Sequence, residues 1–251
     1  MSALKNFADR QHITYPLLSD TDSKIIRTFG ILNETVKPGT AAFGIPYPGV
    51  YVVDVQGKVV AKYFEDDYAD RISTADILAR QFGAPIEAAR GAIETKHLRI
   101  TTAASNGAAR PGLRIMLSLD IRLKPGMHVY APGVQGYIPM DWQLDPAGPA
   151  AKRHSFEYPA SEMLHLEAIG ETVPVYRNHI QLQREITFAQ EDALKPLVSP
   201  AGELVVKGMF RCQACDDHTC YIPQEVPLEW HFKYEGMDLR RVPSELQHKP
   251  N

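Results

Sequence analysis

The stretch "GLRIMLSLDIRLKPG", residues 112–126, alternates apolar residues with mostly polar ones without a break. Its apolar positions run from Leu113 to Leu123 in steps of two. Successive side chains of a β-strand point to opposite faces, so all of these positions share one face. The pattern predicts a long, half-buried strand.

Further strands are predicted after this stretch, and Pro and Gly fill the gaps between them. They are "HVYA", "MDWQL", "IQLQREITF", "ELVVKGMF" and "PLEWHFKY". No helical pattern interrupts them, which is typical of an antiparallel β-sandwich.

The first part of the chain predicts alternating helix and strand instead. Helical patterns occur at "MSALKNFADRQ", "SDTDSKIIRTFG" and "STADILARQFG", a short strand at "YPLLSD", and a two-stranded hairpin at "GVYVVDVQGKVVAKYF". In the last helix, Ser73 and Asp76 have the spacing of a capping box, and Gly83 marks the end. The first hairpin strand is apolar at nearly every position, which predicts cover on both faces. We therefore expect an α/β domain over residues 1–92, an all-β domain over 93–233 and a loose tail over 234–251.

Composition and charge exclude several classes of function. The 251 residues carry a net charge of −3, with 44% hydrophobic and 23% charged residues. This balance offers neither a basic footprint for nucleic acid nor a polybasic patch for a membrane. The sequence contains no run of about 18 apolar residues, so it predicts no membrane-spanning helix. The first residues lack the apolar core of a signal peptide.

All three cysteines fall within "MFRCQACDDHTCYIPQEV", residues 209–226. They could be unrelated buried residues, or a zinc site formed by Cys212, Cys215, His218 and Cys220, or a redox dithiol. The zinc pattern lacks the second, separated pair of ligands that makes such spacing specific. The tight clustering favours the dithiol.

The loop between Cys215 and Cys220 also favours a redox role over a structural one. A disulfide across so short a loop restrains the unfolded chain by only about 2 kcal/mol. Such a pair, carried on a loop, is suited to being made and broken. His218 within the loop would favour a thiolate if protonated, and the two neighbouring carboxylates would oppose it.

The segment "FRCQACDDHTCYIPQEVPLEWHF" resembles the N-terminal domain of the thiol:disulfide interchange protein DsbD. The segments "IRLKPGMHVYAPGVQGYIPMDWQL" and "YPASEMLHLEAIGETVPVYRNHIQLQREI" follow the same family, so the resemblance covers roughly residues 95–233. It implies an immunoglobulin-like sandwich, no bound cofactor, a thioredoxin-like electron partner and an oxidising, extracytoplasmic compartment such as the periplasm.

The resemblance also implies roles for individual residues. Cys215 and Cys220 would be the exchanging pair, and Cys220 would attack the partner disulfide. Cys212 has no counterpart in the family pattern. Aromatic residues shield the pair in this family, and the candidates here are Tyr130, Tyr137 and Tyr221, with sandwich packing as the alternative for all three.

The first domain has a resemblance of its own. "LKNFADRQHITYPLLSDTDSKIIRTFGIL" and "GIPYPGVYVVDVQGKVVAKYF" resemble the second half of a peroxiredoxin of the AhpC/TSA type, which implies a thioredoxin-like fold. Pro48 falls where thioredoxin-like proteins place a cis-proline beside the active site, so we expect a cis bond there, with an ordinary trans turn proline as the alternative. Residues 1–211 contain no cysteine, so we expect an incomplete domain without peroxidase activity, which docks on the sandwich or self-associates.

Two functions are therefore carried forward. The first is a thiol–disulfide oxidoreductase acting through Cys215 and Cys220. The second is a non-catalytic interaction module whose cysteines bind zinc or are inert. A reversible dithiol couple would favour the first, and one zinc per chain would favour the second.

Overall fold

The computed structural model describes residues 3–40, 43–167, 169–238 and 243, and most of the regular secondary structure in this part of the chain is β-strand. Its helices are α1 Ala3–Arg10, α2 Lys24–Thr28, α3 Thr74–Phe82, α4 Glu191–Leu194 and a 3-10 turn Lys195–Leu197. Its first eight strands are β1 Gly49–Val53, β2 Val59–Phe64, β3 Arg71–Ile72, β4 Ala88–Glu94, β5 Leu98–Ala104, β6 Ala108–Ala109, β7 Leu113–Leu123 and β8 His128–Tyr130. The later strands are β9 Asp141–Leu144, β10 Ala150–Arg153, β11 Glu162–Leu166, β12 Glu171–Arg177, β13 His179–Phe188, β14 Glu203–Cys212, β15 Ala214–Cys215 and β16 Gln224–Tyr234.

The strands from β4 onward form a sandwich, as the alternating patterns predict. One sheet has the order β10-β13-β7-β5-β4, and a second has the order β6-β16-β14-β9. A third, smaller sheet has the order β11-β12-β8-β15 and carries the cysteine pair on its last strand. Buried side chains from all three sheets form one continuous core.

Strand β16 shows how the sequence builds this core. Val226, Leu228, Trp230 and Phe232 alternate with exposed residues and are all buried. The ring of Trp230 stacks on Trp142 with centroids 5.9 Å apart, and its Nε1 donates a hydrogen bond to a backbone oxygen in β5. Burial of two tryptophans in one layer contributes strongly to the stability of the sandwich.

Strand β7 is more deeply buried than its alternation predicts. Met116 and Ser118, on its polar face, are both buried. Helix α3 packs over this face, and the Asp76 carboxylate of α3 accepts a hydrogen bond from the Met116 backbone N–H at 2.9 Å. Ser73 caps α3 by accepting from the Asp76 N–H, and Gly83 ends it in the left-handed conformation. The helix, its Ser73 cap and its Gly83 end are thus as predicted, but the capping box is only half formed, because the Ser73 N–H donates to the Arg114 carbonyl and not to Asp76.

The segment before α3 is also joined to the sandwich. Strand β3 pairs in parallel with the start of β7. Glu65 forms an ion pair with Arg114 at 3.1 Å, and the buried Asp70 forms one with Lys152. The expected boundary between residues 92 and 93 falls inside β4, which pairs with β5.

Two predictions in the first segment are wrong. Residues 15–20, "YPLLSD", form no strand. Leu18 is 90% exposed there, because no neighbouring strand covers it. Strand β1 pairs only with β2 among the described strands, so its apolar residues Val50 and Val53 stay exposed. The apolar composition of β1 predicts cover on both of its faces, and the described residues do not provide this cover.

No helix of the described residues is long and apolar enough to cross a membrane. Of the expected tail, residues 239–242 and 244–251 lie outside the described part of the chain.

Candidate functional site

The cysteine pair lies where the chain passes from β14 to β16. After Cys212 the chain leaves the β6-β16-β14-β9 sheet, and β15 pairs with β8 in the small sheet. Cys215 ends β15 and is disulfide-bonded to Cys220, five residues later. In this antiparallel register Cys215 lies directly opposite His128.

A compact turn connects the two cysteines, and Asp216 holds it together. The Asp216 Oδ1 accepts hydrogen bonds from the backbone N–H groups of His218 and Thr219, at 2.8 and 2.7 Å. Its Oδ2 accepts a third hydrogen bond from the Tyr221 hydroxyl at 2.7 Å. These hydrogen bonds, that from Tyr221 first, lower the pKa of the Asp216 carboxyl.

The two sulfurs occupy different environments. Cys215 is 0% exposed and packs in a small apolar cluster with Tyr130, Val173 and Val175. Cys220 is exposed. Of the bonded pair, Cys220 is therefore open to solvent and Cys215 is not.

Two stacked tyrosines lie beside the disulfide, and one of them contacts it. The Tyr130 hydroxyl lies 3.4 Å from the Cys220 Sγ and, in the disulfide form, can only donate to it. The Tyr137 ring stacks on Tyr130 with centroids 4.4 Å apart, and its hydroxyl donates to the Glu171 carboxylate at 2.6 Å. That hydrogen bond raises the pKa of Tyr137 to about 12. Tyr130 contacts the disulfide, and Tyr137 holds Tyr130 in place.

Tyr221 links the cysteine turn to the hairpin between β4 and β5. Its ring stacks on His97 with centroids 4.2 Å apart, and the Lys96 ammonium lies 5.4 Å from the ring centre. Its carbonyl accepts from the Gln213 side chain at 3.0 Å. The turn is thus anchored on the large sheet as well as on the small one.

Comparison with known families gives two matches. Residues 1–62 match the AhpC/TSA family. Residues 99–228 match the N-terminal domain of thiol:disulfide interchange protein DsbD, and this match covers more than half of the chain.

The chain belongs to the DsbD N-terminal domain family.

One solved structure is similar to the chain: the N-terminal periplasmic domain of ScsB from Proteus mirabilis. The sequence identity is 11% and the TM-score 0.40, and the match covers 57% of this chain. The chain spans half the length of that structure. The search of curated proteins found no match.

The structure separates the residues of the alternative zinc site. Cys212 is buried in the sandwich core, whereas Cys215 and Cys220 are bonded to each other on the small sheet. No group of three or more His, Cys, Asp or Glu side chains is arranged to hold a metal ion in the part of the chain that the structure describes. Burial raises the pKa of Cys212 to about 12, which opposes the thiolate that a metal ligand or nucleophile requires.

The remaining predicted site residues fall in different places. His218 is exposed within the turn, and its contact with Asp216 is made by its backbone N–H. Pro48 immediately precedes β1 and lines a cleft whose other lining residues all fall between Ile31 and Arg71, so the cysteine pair is not part of that cleft.

The expected cis bond at Pro48 is wrong, because no peptide bond between described residues is cis. The Tyr47 N–H donates to Ile31, and the Pro48 carbonyl accepts from Glu65. These hydrogen bonds hold the chain on both sides of the proline in the trans form, which X–Pro bonds ordinarily prefer.

Three site residues were missed in the sequence: His97, His128 and Asp216 in its turn-holding role. Alternation in "HVYA" places His128 on the same strand face as Tyr130, and this signal is visible in the sequence. The pairing of His128 with Cys215 depends on the β8–β15 register, which joins residues distant in the chain.

Proposed function

We propose that this chain is a thiol–disulfide exchange protein that passes electrons through Cys215 and Cys220. The observation that carries the proposal is the asymmetry of the pair. An exposed cysteine is bonded to a fully buried one, within a domain of the DsbD N-terminal family. An exposed sulfur and a protected neighbour are what the two steps of disulfide exchange require.

In the proposed reaction the Cys220 thiolate attacks a partner disulfide. A mixed disulfide forms, and one partner sulfur leaves as a thiolate. Cys215 then attacks Cys220, closes the intramolecular disulfide and releases the second partner sulfur. The reverse sequence transfers electrons from the partner to this chain.

Titration of the pair in a glutathione series tests the proposal. Cys212→Ala is the suitable parent protein, because it removes the third thiol without placing a hydroxyl in the core. The expected result is one reversible two-electron couple, lost in both Cys215→Ala and Cys220→Ala. Absence of a reversible couple in the parent would contradict the proposal and favour inert cysteines.

We propose a thioredoxin-like protein as the partner. Cys215→Ala leaves Cys220 free to attack but removes the resolving thiol, so it should accumulate a stable mixed disulfide with an oxidised thioredoxin. Cys220→Ala is the matched control and should accumulate none. Equal trapping by both variants would contradict the assignment of Cys220 as the attacking residue.

We further propose that the first segment is part of a thioredoxin-like fold and has a structural role. The AhpC/TSA match to residues 1–62 supports the fold, and the absence of cysteine before Cys212 leaves the segment without a thiol for peroxidase chemistry. Exposed Val50, Val53 and Val60 on the β1–β2 hairpin support self-association through this segment. Concentration-dependent sedimentation that is abolished by Val60→Lys would support that association, and a monomer at all concentrations would contradict it.

A further inference from the structure

His128 is a buried titratable residue beside the disulfide to which the proposed exchange assigns no task. It is 2% exposed, and its Nε2 has no hydrogen-bond partner among the described residues. A buried polar atom without a partner is uncommon in folded proteins and calls for a physical explanation.

The strand register places His128 against Cys215. The two residues are directly opposite in the antiparallel β8–β15 pair, so their side chains lie on the same face of the small sheet. Cβ atoms in such pairs are about 4.5–5.5 Å apart. An imidazole on one Cβ can therefore reach a sulfur on the other. Tyr130 shares this face, and its ring meets the His128 ring edge-on at 5.6 Å.

We propose that His128 is the general base that takes the proton from Cys215 when Cys215 resolves the mixed disulfide. The inference rests on the proposed exchange at Cys215 and Cys220. It assigns to His128 the proton that the exchange must move within a site closed to solvent.

The chemistry of the resolving step creates the need for such a base. Cys215 must become a thiolate, yet it is fully buried, and a charge formed in an apolar environment is unfavourable. Hydroxide and bulk water have no direct access to it. A neutral imidazole on the adjacent strand supplies an acceptor inside the site.

The step balances as follows. The Cys215 S–H proton passes to the His128 Nε2, and the Cys215 sulfur attacks the Cys220 Sγ. The Cys215–Cys220 bond forms, the bond from Cys220 to the partner breaks, and the partner sulfur leaves as a thiolate. In the reverse direction the His128 imidazolium returns the proton to Cys215 as Cys215 leaves.

The surroundings of His128 keep it neutral and ready to accept. Burial lowers its pKa, and the guanidinium of Arg177, its opposite neighbour on β12, lowers it further. Asp217 and Asp216, in the cysteine turn, act in the other direction. Tyr130 and Cys215 also face it. In the oxidised form Cys215 has no proton to donate, which accounts for the unpartnered Nε2.

The reaction of the reduced protein with DTNB, an aromatic disulfide that releases a coloured thiolate, separates the two steps. With Cys212→Ala as the parent, the first release reports attack by Cys220, and the second reports resolution by Cys215. We expect His128→Gln to slow the second release by about 100-fold at pH 7 and to leave the first within about twofold. Glutamine keeps a hydrogen-bond acceptor but cannot take the proton.

The pH profile distinguishes proton transfer from a loss of packing. In the parent, the second rate should level off above the lowered pKa of His128. In His128→Gln it should continue to rise with pH as the thiol ionises unaided. His165→Gln is the matched control, because His165 is exposed on β11 of the same small sheet, and both of its phases should match the parent.

Three outcomes would overturn the inference. A second phase of normal rate and normal pH profile in His128→Gln would overturn the role of His128 alone. No second release in the parent would overturn both the exchange and the role that depends on it. Should His128→Gln fail to fold, nitrogen NMR of the reduced parent decides. A proton resident on Nε2 at pH 7 excludes a base, and an unprotonated Nε2 whose resonance moves on reduction supports one.

Discussion

The hydroxyl of Tyr221 is the largest single cause of the lowered pKa of Asp216. Tyr221→Phe should therefore raise the pKa of Asp216 toward its usual value. Because the pKa of Asp216 is lowered in the folded protein, its carboxylate stabilises the turn at pH values above the usual pKa of an aspartate. This stabilisation is lost as pH falls through the lowered pKa. As pH is lowered, the Thr219 N–H should therefore lose its protection from hydrogen exchange at a higher pH in Tyr221→Phe than in the parent protein.

Carbon NMR of the Asp216 carboxyl and amide exchange of Thr219 measure this effect. Tyr68→Phe is a suitable control, since Tyr68 is an exposed tyrosine far along the chain from the cysteine turn. An unchanged titration of Asp216 in Tyr221→Phe would show that the hydroxyl does not hold the turn in solution.

Cys212 should be the least reactive thiol in the reduced protein. Its pKa of about 12 and its complete burial keep it protonated and out of reach of reagents. Brief treatment with iodoacetamide at pH 8 should label Cys220 first and Cys212 only after addition of denaturant, as peptide mass spectrometry would detect. Labelling of Cys212 at the rate of Cys220 in the native protein would contradict its place in the core.

At the scale of single elements, helix α3 is held on β7 by a buried carboxyl. Burial raises the pKa of Asp76 to about 6 from 3.8, with Ser105, Arg80 and Glu185 also acting on it. Folding therefore favours the protonated form. Stability from this group is present below about pH 4 and is lost as pH rises through 6, by up to about 3 kcal/mol.

Asp76→Asn keeps an acceptor for the Met116 N–H and removes the charge. The parent should therefore lose stability between pH 4 and pH 7 while Asp76→Asn does not. The free energy of unfolding of the variant should rise relative to that of the parent by about 2–3 kcal/mol over this range. Urea unfolding at several pH values measures it. Asp76→Ala removes the acceptor for the Met116 N–H, so it should be less stable than the parent at low pH. Parallel pH profiles for parent and Asp76→Asn would contradict this account.

Alternation explains which strands could be predicted. β7, β14 and β16 carry a regular apolar face, and each was found close to its observed bounds. β4, "AARGAIE", and β11, "EMLHL", carry too few apolar residues at a regular spacing to be recognised. "YPLLSD" shows the opposite error, since two adjacent leucines mimic a buried strand whose cover is absent here. The cysteine pair was evident from clustering, but its neighbours His97 and His128 come from pairings that only the folded chain creates.

For the whole molecule, the unit that folds together should begin near Glu65 and not near residue 93. A chain that starts at residue 65 retains β3, α3 and the ion pairs of Glu65 and Asp70. Its free energy of unfolding should lie within about 1 kcal/mol of that of the full chain, because exposed surface residues outside such features contribute little to stability. A chain that starts at residue 93 cuts β4 and uncovers Met116, and it should lose about 3 kcal/mol or more.

Urea unfolding of the two fragments measures the difference, and limited proteolysis of the full chain gives an independent result. Cleavage should occur first before Glu65, where Leu18, Ile25 and Val55 are exposed. Resistance of residues 3–64 equal to that of the sandwich, or equal stability of the two fragments, would contradict this assignment.

The parallel pairing of β3 with β7 also bears on how genes for such chains can recombine. The AhpC/TSA match ends at residue 62 and the DsbD match begins at residue 99, so β3, α3 and β4 belong to neither. A crossover within these elements would separate β7 from its short parallel partner β3 or from its covering helix α3. We therefore expect that recombinants in which the first segment is exchanged fold only when the breakpoint lies before Glu65, so that β3, α3 and β4 stay with the sandwich.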